Sequence, residues 1–305
     1  MPSICDVPGI RVGHAQSEKA KTGCTVILPD REVVAGVDVR GSAPGTHELE
    51  LLKPVRLVQR IHAILLTGGS AFGLDAAGGI QQYLEEHGIG FDTGIIKVPI
   101  VPAAVIFDLG VGDPKVRPDK KMGYKAAKNA TSSDTRTGLV GAGIGATVGK
   151  LLGTEHCMAG GIGMWSTTFS DGTIIGALVV VNAFGNIYDP WRHQFIAGAR
   201  VSSDQPVIDP VQNIDDWILP FSPGSNTTLG VIATNVALSK EECTKIAQMA
   251  HDGFARTIIP AHTQVDGDII FAISTEEKQA GQTDFLKIGI GAADVMARAV
   301  IQAVN

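Results

Sequence analysis

Cysteine is scarce in this sequence, and its spacing excludes the common paired-cysteine sites. The four cysteines, Cys5, Cys24, Cys157 and Cys243, lie far apart along 305 residues. No two of them have the C-x-x-C spacing that is typical of metal and redox sites. We therefore expect free thiols and a cytoplasmic protein, because disulfides are rare in reducing compartments. The opening segment MPSICDVPGIRVGHAQ also lacks the basic and apolar regions of a signal peptide.

Long hydrophobic runs are absent as well, although 44% of the residues are hydrophobic. The longest informative uncharged stretch, Gly172–Tyr188, has 17 residues and contains Asn182 and Asn186. A membrane-spanning helix needs about 20 predominantly apolar residues. The Val and Ile content of this stretch favours a strand instead. We therefore expect a protein that does not enter membranes.

An excess of positive charge is also missing, which argues against a nucleic-acid partner. The chain has 25 basic and 31 acidic residues and a net charge of −6, whereas nucleic-acid binders concentrate basic charge on one face. The eight histidines never take the H-E-x-x-H spacing or a comparable ligand spacing. The residues therefore predict neither a metal site nor a nucleic-acid interface.

Short β-branched runs alternate with helical periods along the chain. Strands are predicted at Thr25–Leu28, Val33–Val39, Ala63–Leu66, Val98–Phe107, Ile174–Val181, Leu229–Thr234 and Ile269–Ser274. Helices are predicted at Phe72–Glu86, Lys240–Arg256 and Asp284–Val304. Ser239 and Asp284 are suitable caps for the last two. The succession indicates a layered α/β domain.

Two further expectations concern the second half of the chain. In the last predicted helix, one apolar face is formed by Leu286, Ile290, Ala293, Met296, Val300 and Val304. The segment Ser202–Ser225 contains four prolines and several acidic residues, so we expect an extended surface excursion there.

Three glycine-rich segments match nucleotide or nucleophile motifs only in part. In Gly141–Gly145 the third glycine is one position early for G-x-G-x-x-G, and Gly149-Lys150 lacks the Ser or Thr that completes a P-loop. The segment from Gly68 to Phe72 misses the last glycine of G-x-S-x-G. Ser70 within it is better explained as a helix N-cap. We therefore expect no nucleotide and no other cofactor.

Two polar turns each precede a buried-strand pattern, and the residues alone leave their roles open. Asn226-Thr227-Thr228 fits an ordinary turn, and it is also a formal N-glycosylation sequon that matters only in a secreted protein. Asp266-Gly267-Asp268 likewise fits a plain Asp-Gly turn before a strand.

Several long segments, spread over nearly the whole chain, are far more specific than these short motifs. In order, they are GVDVRGSAPGTHELELL, LLTGGSAFGLDAAGGI, VPIVPAAVIFDL, GAGIGATVGK, ALVVVNAFG, SNTTLGVIATNVAL and HTQVDGDIIFA. Together they resemble the DmpA-like peptidase family, which includes L-aminopeptidase/D-esterases, β-peptidyl aminopeptidases and nylon-oligomer hydrolases. The resemblance implies a single domain over residues 1–305 with an α-β-β-α sandwich fold.

The resemblance also implies a precursor that cleaves itself before a Ser or Thr opening a strand. The matching bond is Asn226–Thr227, which would give fragments 1–226 and 227–305. Thr227 would then carry both a nucleophilic hydroxyl and a free α-amino group that serves as its base. The β-branch of threonine restricts χ1, which helps to aim the hydroxyl.

Four further site residues follow from the resemblance. Lys150 matches a lysine near the nucleophile, and Asn182 matches an asparagine that donates to the oxyanion. Asp266 and Asp268 match a pair that orients the nucleophile and its amine. Phe107 stands where some members have a tyrosine, so it is expected only to pack.

The implied partners are a small peptide or amide substrate and further copies of the chain, in a tetramer. Asn-Thr and D-G-D look closer to the nylon-oligomer hydrolase branch than to strict aminopeptidases. Two alternatives stay open: an acyltransferase like the ornithine acetyltransferases, and an uncleaved binding protein of the same fold.

Overall fold

Eighteen strands and four α-helices make up the part of the chain that this computed structural model describes, residues 1–202, 204–216, 226–281 and 284–305. The strands are β1 (Ile10–Ser17), β2 (Thr22–Pro29), β3 (Val33–Val39), β4 (Thr46–His47), β5 (Arg60–Ile61), β6 (Ile64–Thr67), β7 (Phe91–Asp92), β8 (Lys97–Val98), β9 (Ala103–Val105), β10 (Thr147–Val148), β11 (Met158–Ala159), β12 (Gly161–Thr168), β13 (Ile174–Asn182), β14 (Asn186–Asp189), β15 (Gln194–Ala197), β16 (Thr227–Val236), β17 (Ile258–Ile259) and β18 (Ile269–Lys278). The α-helices are α1 (Ala76–Glu86), α2 (Lys120–Lys128), α3 (Lys240–Thr257) and α4 (Asp284–Gln302). Most of the predicted excursion Ser202–Ser225 and the side chain of Asp284, a predicted cap, lie outside the described residues.

Two main sheets lie face to face, and each carries two helices on its outer side. One sheet has the strand order β1-β2-β6-β9-β4, and the other has the order β12-β13-β16-β18-β3-β5. Helices α1 and α2 cover the first sheet, while α3 and α4 cover the second. A central core of buried side chains fills the space between the sheets. The predicted α-β-β-α sandwich is therefore confirmed.

The side chains of the central strands point alternately into this central core and into a second core under α3 and α4. This is the period of two that a pleated strand requires. In β13, one set of side chains packs under the helices, Ile175, Ala177, Val179 and Val181. The intervening pair, Leu178 and Val180, packs between the sheets. Because β13, β16 and β18 are covered on both faces, their sequences are almost continuously apolar. A polar side chain in these strands therefore stands out.

Three chain segments converge at one end of the six-stranded sheet. Strand β13 ends at Asn182, which lies opposite Thr227, the first residue of antiparallel β16. Strand β18 is the parallel neighbour of β16 and begins at Ile269, immediately after Asp268. The sheet therefore brings together residues that are more than 80 positions apart in the sequence.

The predicted strand Val98–Phe107 is wrong as a single element. The structure has a short hairpin strand ending at Val98 and a separate strand, Ala103–Val105, in the five-stranded sheet. Pro99 and Pro102 lie between them. Proline has no N–H to donate to a neighbouring strand, so these two residues interrupt the ladder.

Two helix predictions also need correction. Residues Ser70–Asp75 form a 3-10 helix, α1 begins only at Ala76, and Ser70 is not an N-cap. In α4, Leu286 and Ile290 of the predicted apolar face are 62% and 61% exposed. The buried face includes smaller side chains, which allow close packing against α3 and the sheet, at Ile288, Ala292, Val295, Met296, Ala299 and Val300. By contrast, Ser239 caps α3 as predicted and forms a capping box with Glu242.

Membrane spans, metal sites and disulfides can each be checked in the described residues. None of the described helices is long and apolar enough to cross a membrane. Among the same residues, no group of three or more His, Cys, Asp or Glu side chains is arranged to hold a metal ion. Cys5, Cys24, Cys157 and Cys243 are free thiols.

Candidate active site

Thr227 lies at the start of β16 and is only 3% exposed. Its hydroxyl donates a hydrogen bond to the carbonyl oxygen of Asn226, and the two oxygens are 2.5 Å apart. This carbonyl belongs to the peptide bond that joins Asn226 to Thr227. The hydroxyl is therefore adjacent to the bond at which the resemblance implies self-cleavage.

The same carbonyl oxygen has a second donor from the Asp266–Asp268 turn. The Gly267 N–H donates to Asn226 O at 2.9 Å, and Asn226 and Asp266 form a parallel bridge. A backbone N–H aimed at a carbonyl oxygen can stabilise negative charge that develops there. The turn therefore supplies an oxyanion donor at the Asn226 carbonyl, which the sequence analysis did not identify.

Glycine is required at the centre of this turn by the close approach of two other groups. A Cβ on Gly267 would lie 2.6 Å from the carbonyl oxygen of Ala43 and 2.8 Å from Thr227 Oγ1. Both distances are shorter than an ordinary van der Waals contact. The absence of a side chain at Gly267 therefore lets the turn approach the Thr227 hydroxyl.

Lys150 and Asn182 are in direct contact beside the start of β16. Lys150 Nζ donates to Asn182 Oδ1 at 3.1 Å, to Asn182 O at 3.2 Å and to Thr147 O at 3.1 Å. The Thr147 N–H also donates to Asn182 Oδ1, at 3.0 Å. These donors identify the oxygen end of the Asn182 amide, so its Nδ2 faces the other way.

Asn182 Nδ2 donates to the backbone carbonyl of Phe107 at 3.2 Å. Phe107 was expected to contribute packing at most, and its backbone contact with Asn182 could not be deduced from the side-chain type. Lys150 and Phe107 thus hold the Asn182 amide from its two ends. The buried polar residue that interrupts β13 is satisfied by these hydrogen bonds, as burial requires.

Burial changes the protonation of Lys150. The side chain is 4% exposed, and desolvation by burial lowers the pKa of Lys150 to about 8, while Cys157 and Asp266 oppose this effect. The ammonium is still the main form at neutral pH, and it adds positive charge near the start of β16. A neutral amine becomes available above the lowered pKa.

Asp266 and Asp268 are both buried, and each accepts several hydrogen bonds. Asp266 accepts from the Phe184 N–H at 3.2 Å, from the Thr263 N–H at 3.1 Å and from the Thr263 hydroxyl. Burial, and then the nearby Asp268 carboxylate, raise the pKa of Asp266 to about 6. The pKa of Asp266 therefore lies close to neutral pH.

Asp268 connects the nucleophile strand to a histidine that the sequence analysis did not select. Its Oδ1 accepts the Thr228 N–H at 2.7 Å. Its Oδ2 is 2.8 Å from His262 Nδ1 and 3.0 Å from the His262 backbone nitrogen. The available signal was position, because His262 opens the segment HTQVDGDIIFA that contains both aspartates.

The structure therefore brings all the predicted site residues to one end of the six-stranded sheet. A family profile for Peptidase family S58 matches residues 2–305 of the chain. The chain belongs to this family. The S58 assignment covers the whole set of site residues, and it makes the chain a hydrolase of peptide or related amide bonds, as the resemblance implied.

Curated relatives of this S58 peptidase fall into two groups. An uncharacterised aminopeptidase of Mycobacterium bovis is 42% identical over 332 residues, which cover 100% of this chain and 94% of the relative. An uncharacterised aminopeptidase of Mycobacterium leprae is 39% identical, with 100% and 90% covered. A 6-aminohexanoate-oligomer endohydrolase of Paenarthrobacter ureafaciens is 33% identical, with 89% and 74% covered.

Solved structures support the same fold for this S58 peptidase. A β-aminopeptidase of a Burkholderia species superposes with a TM-score of 0.70 at 23% identity. The L-aminopeptidase D-Ala-esterase/amidase of Ochrobactrum anthropi, described as a variant of the Ntn hydrolase fold, also has a TM-score of 0.70, at 19% identity. Both matches cover 99% of this chain and 85% of the other. At these identities the comparison establishes the fold alone.

Proposed function

We propose that this chain is a self-cleaving hydrolase whose nucleophile is Thr227 and whose products are fragments 1–226 and 227–305. The observation that carries the proposal is the environment of the Asn226 carbonyl. The Thr227 hydroxyl lies 2.5 Å from its oxygen, and the Gly267 N–H donates to the same oxygen. An attacking group and an oxyanion donor therefore meet at one peptide bond.

Self-cleavage then follows in two balanced steps. Thr227 Oγ1 attacks the Asn226 carbonyl carbon, and the Gly267 N–H stabilises the oxyanion. The C–N bond breaks, the hydroxyl proton ends on the Thr227 nitrogen, and an ester joins Asn226 to Oγ1. Water hydrolyses this ester, which leaves a carboxylate on Asn226 and a free α-amino group and hydroxyl on Thr227.

The mature site would use the same hydroxyl on substrate. The α-amino group of Thr227 accepts the hydroxyl proton as Oγ1 attacks the substrate carbonyl, and the proton passes to the leaving amine. An acyl-enzyme on Thr227 is then hydrolysed by water. Asn182, held by Lys150, donates to the substrate oxyanion, and the Lys150 charge favours the neutral amine. Asp266 and Asp268 orient the start of β16.

We propose small linear amides as substrates, in line with the two groups of relatives. Relatives that match the full length of the chain are named aminopeptidases, and others are named 6-aminohexanoate-oligomer endohydrolases. Both names describe hydrolysis of an amide in a linear chain. Hydrolysis of short peptides and of 6-aminohexanoate oligomers, compared side by side, assigns the chain to one group.

Two further tests address the alternatives and the implied assembly. Adding an amine acceptor separates hydrolysis from acyl transfer. Light scattering tests the implied tetramer.

The decisive experiment is mass spectrometry of the purified protein with N-terminal sequencing of its fragments. We expect two chains, one of them beginning at Thr227. Thr227→Ala should remain one chain and be inactive, whereas Thr227→Ser should cleave because it keeps a hydroxyl. An active protein with one uncut chain, or efficient cleavage of Thr227→Ala, would refute the proposed nucleophile.

A further inference from the structure

His262 places two donors on one oxygen of a buried carboxylate. Its backbone N–H and its ring Nδ1 both contact Asp268 Oδ2, at 3.0 and 2.8 Å. Asp268 is 1% exposed, and its other oxygen accepts the Thr228 N–H. The carboxylate thus joins His262 to the residue that directly follows the nucleophile.

The conformation of His262 is specific to this contact. Its φ of 57° lies in the left-handed region, which a residue with a Cβ adopts only at some cost in free energy. Its ring is held by two rings of α3, with centroids at 4.7 Å for His251 and 6.1 Å for Phe254. Packing and backbone together aim the ring nitrogen at Asp268.

We propose that His262 is a positioning residue that fixes the Asp268 carboxyl group and, through its contact with the Thr228 N–H, the first residues of β16. Three N–H groups, from Thr228 and His262, donate to Asp268, and an anionic carboxylate accepts such donors better than a carboxylic acid. This inference rests on the proposed function, since it assigns a role in preparing the same site.

The acid–base surroundings of Asp268 come from four parts of the chain. Asp266 precedes it in the same turn, and Lys150 interacts electrostatically with Asp266 from the segment after β10. From α3, His251 faces His262, and burial and then His262 lower the pKa of His251 to about 3, so His251 stays neutral. From β3 and the residue after it, Asp38 and Arg40 pair with each other.

His262 then acts on the nucleophile through the strand. Asp268, held by His262, in turn holds the Thr228 N–H, which fixes the first residues of β16 against the turn that carries Gly267. Loss of the ring donor would let the Asp268 side chain move and would loosen the alignment of the Thr227 hydroxyl with its target. Self-cleavage should therefore depend on the ring donor of His262.

The test compares two substitutions that both tolerate a left-handed backbone. His262→Asn keeps a side-chain N–H close to the position of Nδ1, whereas His262→Gly keeps only the backbone donor. We expect cleavage of His262→Gly to slow about tenfold, as for loss of one hydrogen bond to a charged group. His262→Asn, which keeps a side-chain donor, should cleave at close to the wild-type rate. His87→Asn, on the surface, is the control.

A purely structural role makes a different prediction. It lowers the melting temperature of both variants and slows the cleavage of both to the same extent. A folded His262→Gly protein that cleaves at the wild-type rate, or a His262→Asn protein that cleaves as slowly as His262→Gly, would overturn the proposal.

A second readout separates this proposal from the proposed nucleophile. In the uncleaved Thr227→Ala background, hydrogen exchange of the Thr228 amide, which donates to Asp268, can be followed by NMR. The expected result is that His262→Gly speeds this exchange and His262→Asn does not, whether or not the chain ever cleaves. An unchanged exchange rate in His262→Gly would refute the role of His262, while absence of cleavage in the wild type would refute only the proposed function.

Discussion

Two ionisable side chains in the site are buried in surroundings that disfavour their charge. Desolvation lowers the pKa of Lys150 to about 8 and raises that of Asp266 to about 6. Each shift favours the neutral form over the charged form. Perturbed groups of this kind concentrate at functional sites because the chemistry needs them there. We therefore infer that Lys150 and Asp266 lower the stability of the fold while they serve the site.

Replacing Lys150 with methionine should remove a pH dependence from the stability of the protein. With a pKa lowered from 10.5 to about 8, the folded chain binds fewer protons than the unfolded chain between these values. Wild-type stability therefore rises with pH through that window. Below pH 8 the cost is at its full value, on the order of 3 kcal/mol. Urea unfolding at pH 7 and pH 10 should show the wild type gaining stability relative to Lys150→Met as pH rises.

The matched control for this measurement is Lys128→Met, which removes an exposed lysine from the last turn of α2. Its effect on unfolding should be small at both pH values. If the difference between Lys150→Met and the wild type is the same at pH 7 and pH 10, Lys150 does not titrate in this window. The inferred burial cost would then be wrong.

At the scale of single residues, the sequence predicts most of the site residues but misses two of their contacts. Thr227, Asn182 and the two aspartates were selected by resemblance, and the fold brings them together. The roles of His262 and Phe107 depend on a ring aimed at Asp268 and on a backbone carbonyl that accepts from Asn182. Neither contact has a signature in residue type, so only the three-dimensional structure could reveal them.

At the scale of elements, the turn before β18 packs closely against Ala43 and Thr227. Gly267 lies between Ala43 and Thr227, and its N–H contacts the Asn226 carbonyl. The turn is thus both a spacer and a donor. Its two flanking carboxylates have different partners: Asp266 accepts from Phe184 and Thr263, and Asp268 accepts from Thr228 and His262.

Gly267→Ala should impair self-cleavage because its methyl group would meet Thr227 Oγ1 at 2.8 Å. We expect the cleavage rate to fall at least tenfold, since a small misplacement of an attacking atom has a large kinetic effect. The rate is measured by intact mass after expression in short pulses. Gly110→Ala, where a Cβ meets nothing within 4 Å, should cleave at the wild-type rate. Equal rates for the two variants would contradict the crowding argument.

Element predictions succeeded where the chain is buried on both faces and failed where other features dominate. Long apolar runs such as those in β13 and β18 were found because such strands read as continuous hydrophobic segments. Strand β12 was missed because its sequence GIGMWSTT is poor in β-branched residues at its start. Helix α2 was missed because lysines dominate KKMGYKAAK, although Gly123 lets it pack tightly against Ala76.

At the scale of the whole molecule, the proposed fragments interleave within one sheet. Fragment 227–305 supplies β16, β18, α3 and α4, which form the centre of the six-stranded sheet and its helical layer. Fragment 1–226 supplies the flanking strands on both sides, β13 and β3. Every residue of β16 is buried. Separating the fragments would therefore expose the core between the sheets and the core under α3 and α4. The cost in hydrophobic free energy would be large.

We therefore expect the cleaved protein to remain a tight one-to-one pair of fragments. Native mass spectrometry should detect both chains together at the lowest concentrations that can be measured, and urea should separate them only in the transition that unfolds the sheet. Fragment 227–305 expressed alone should be unfolded, because β16 and β18 would lose a neighbouring strand on each outer side. Fragments that separate on simple dilution, with the secondary structure retained, would show that the interleaved sheet does not hold the mature enzyme together.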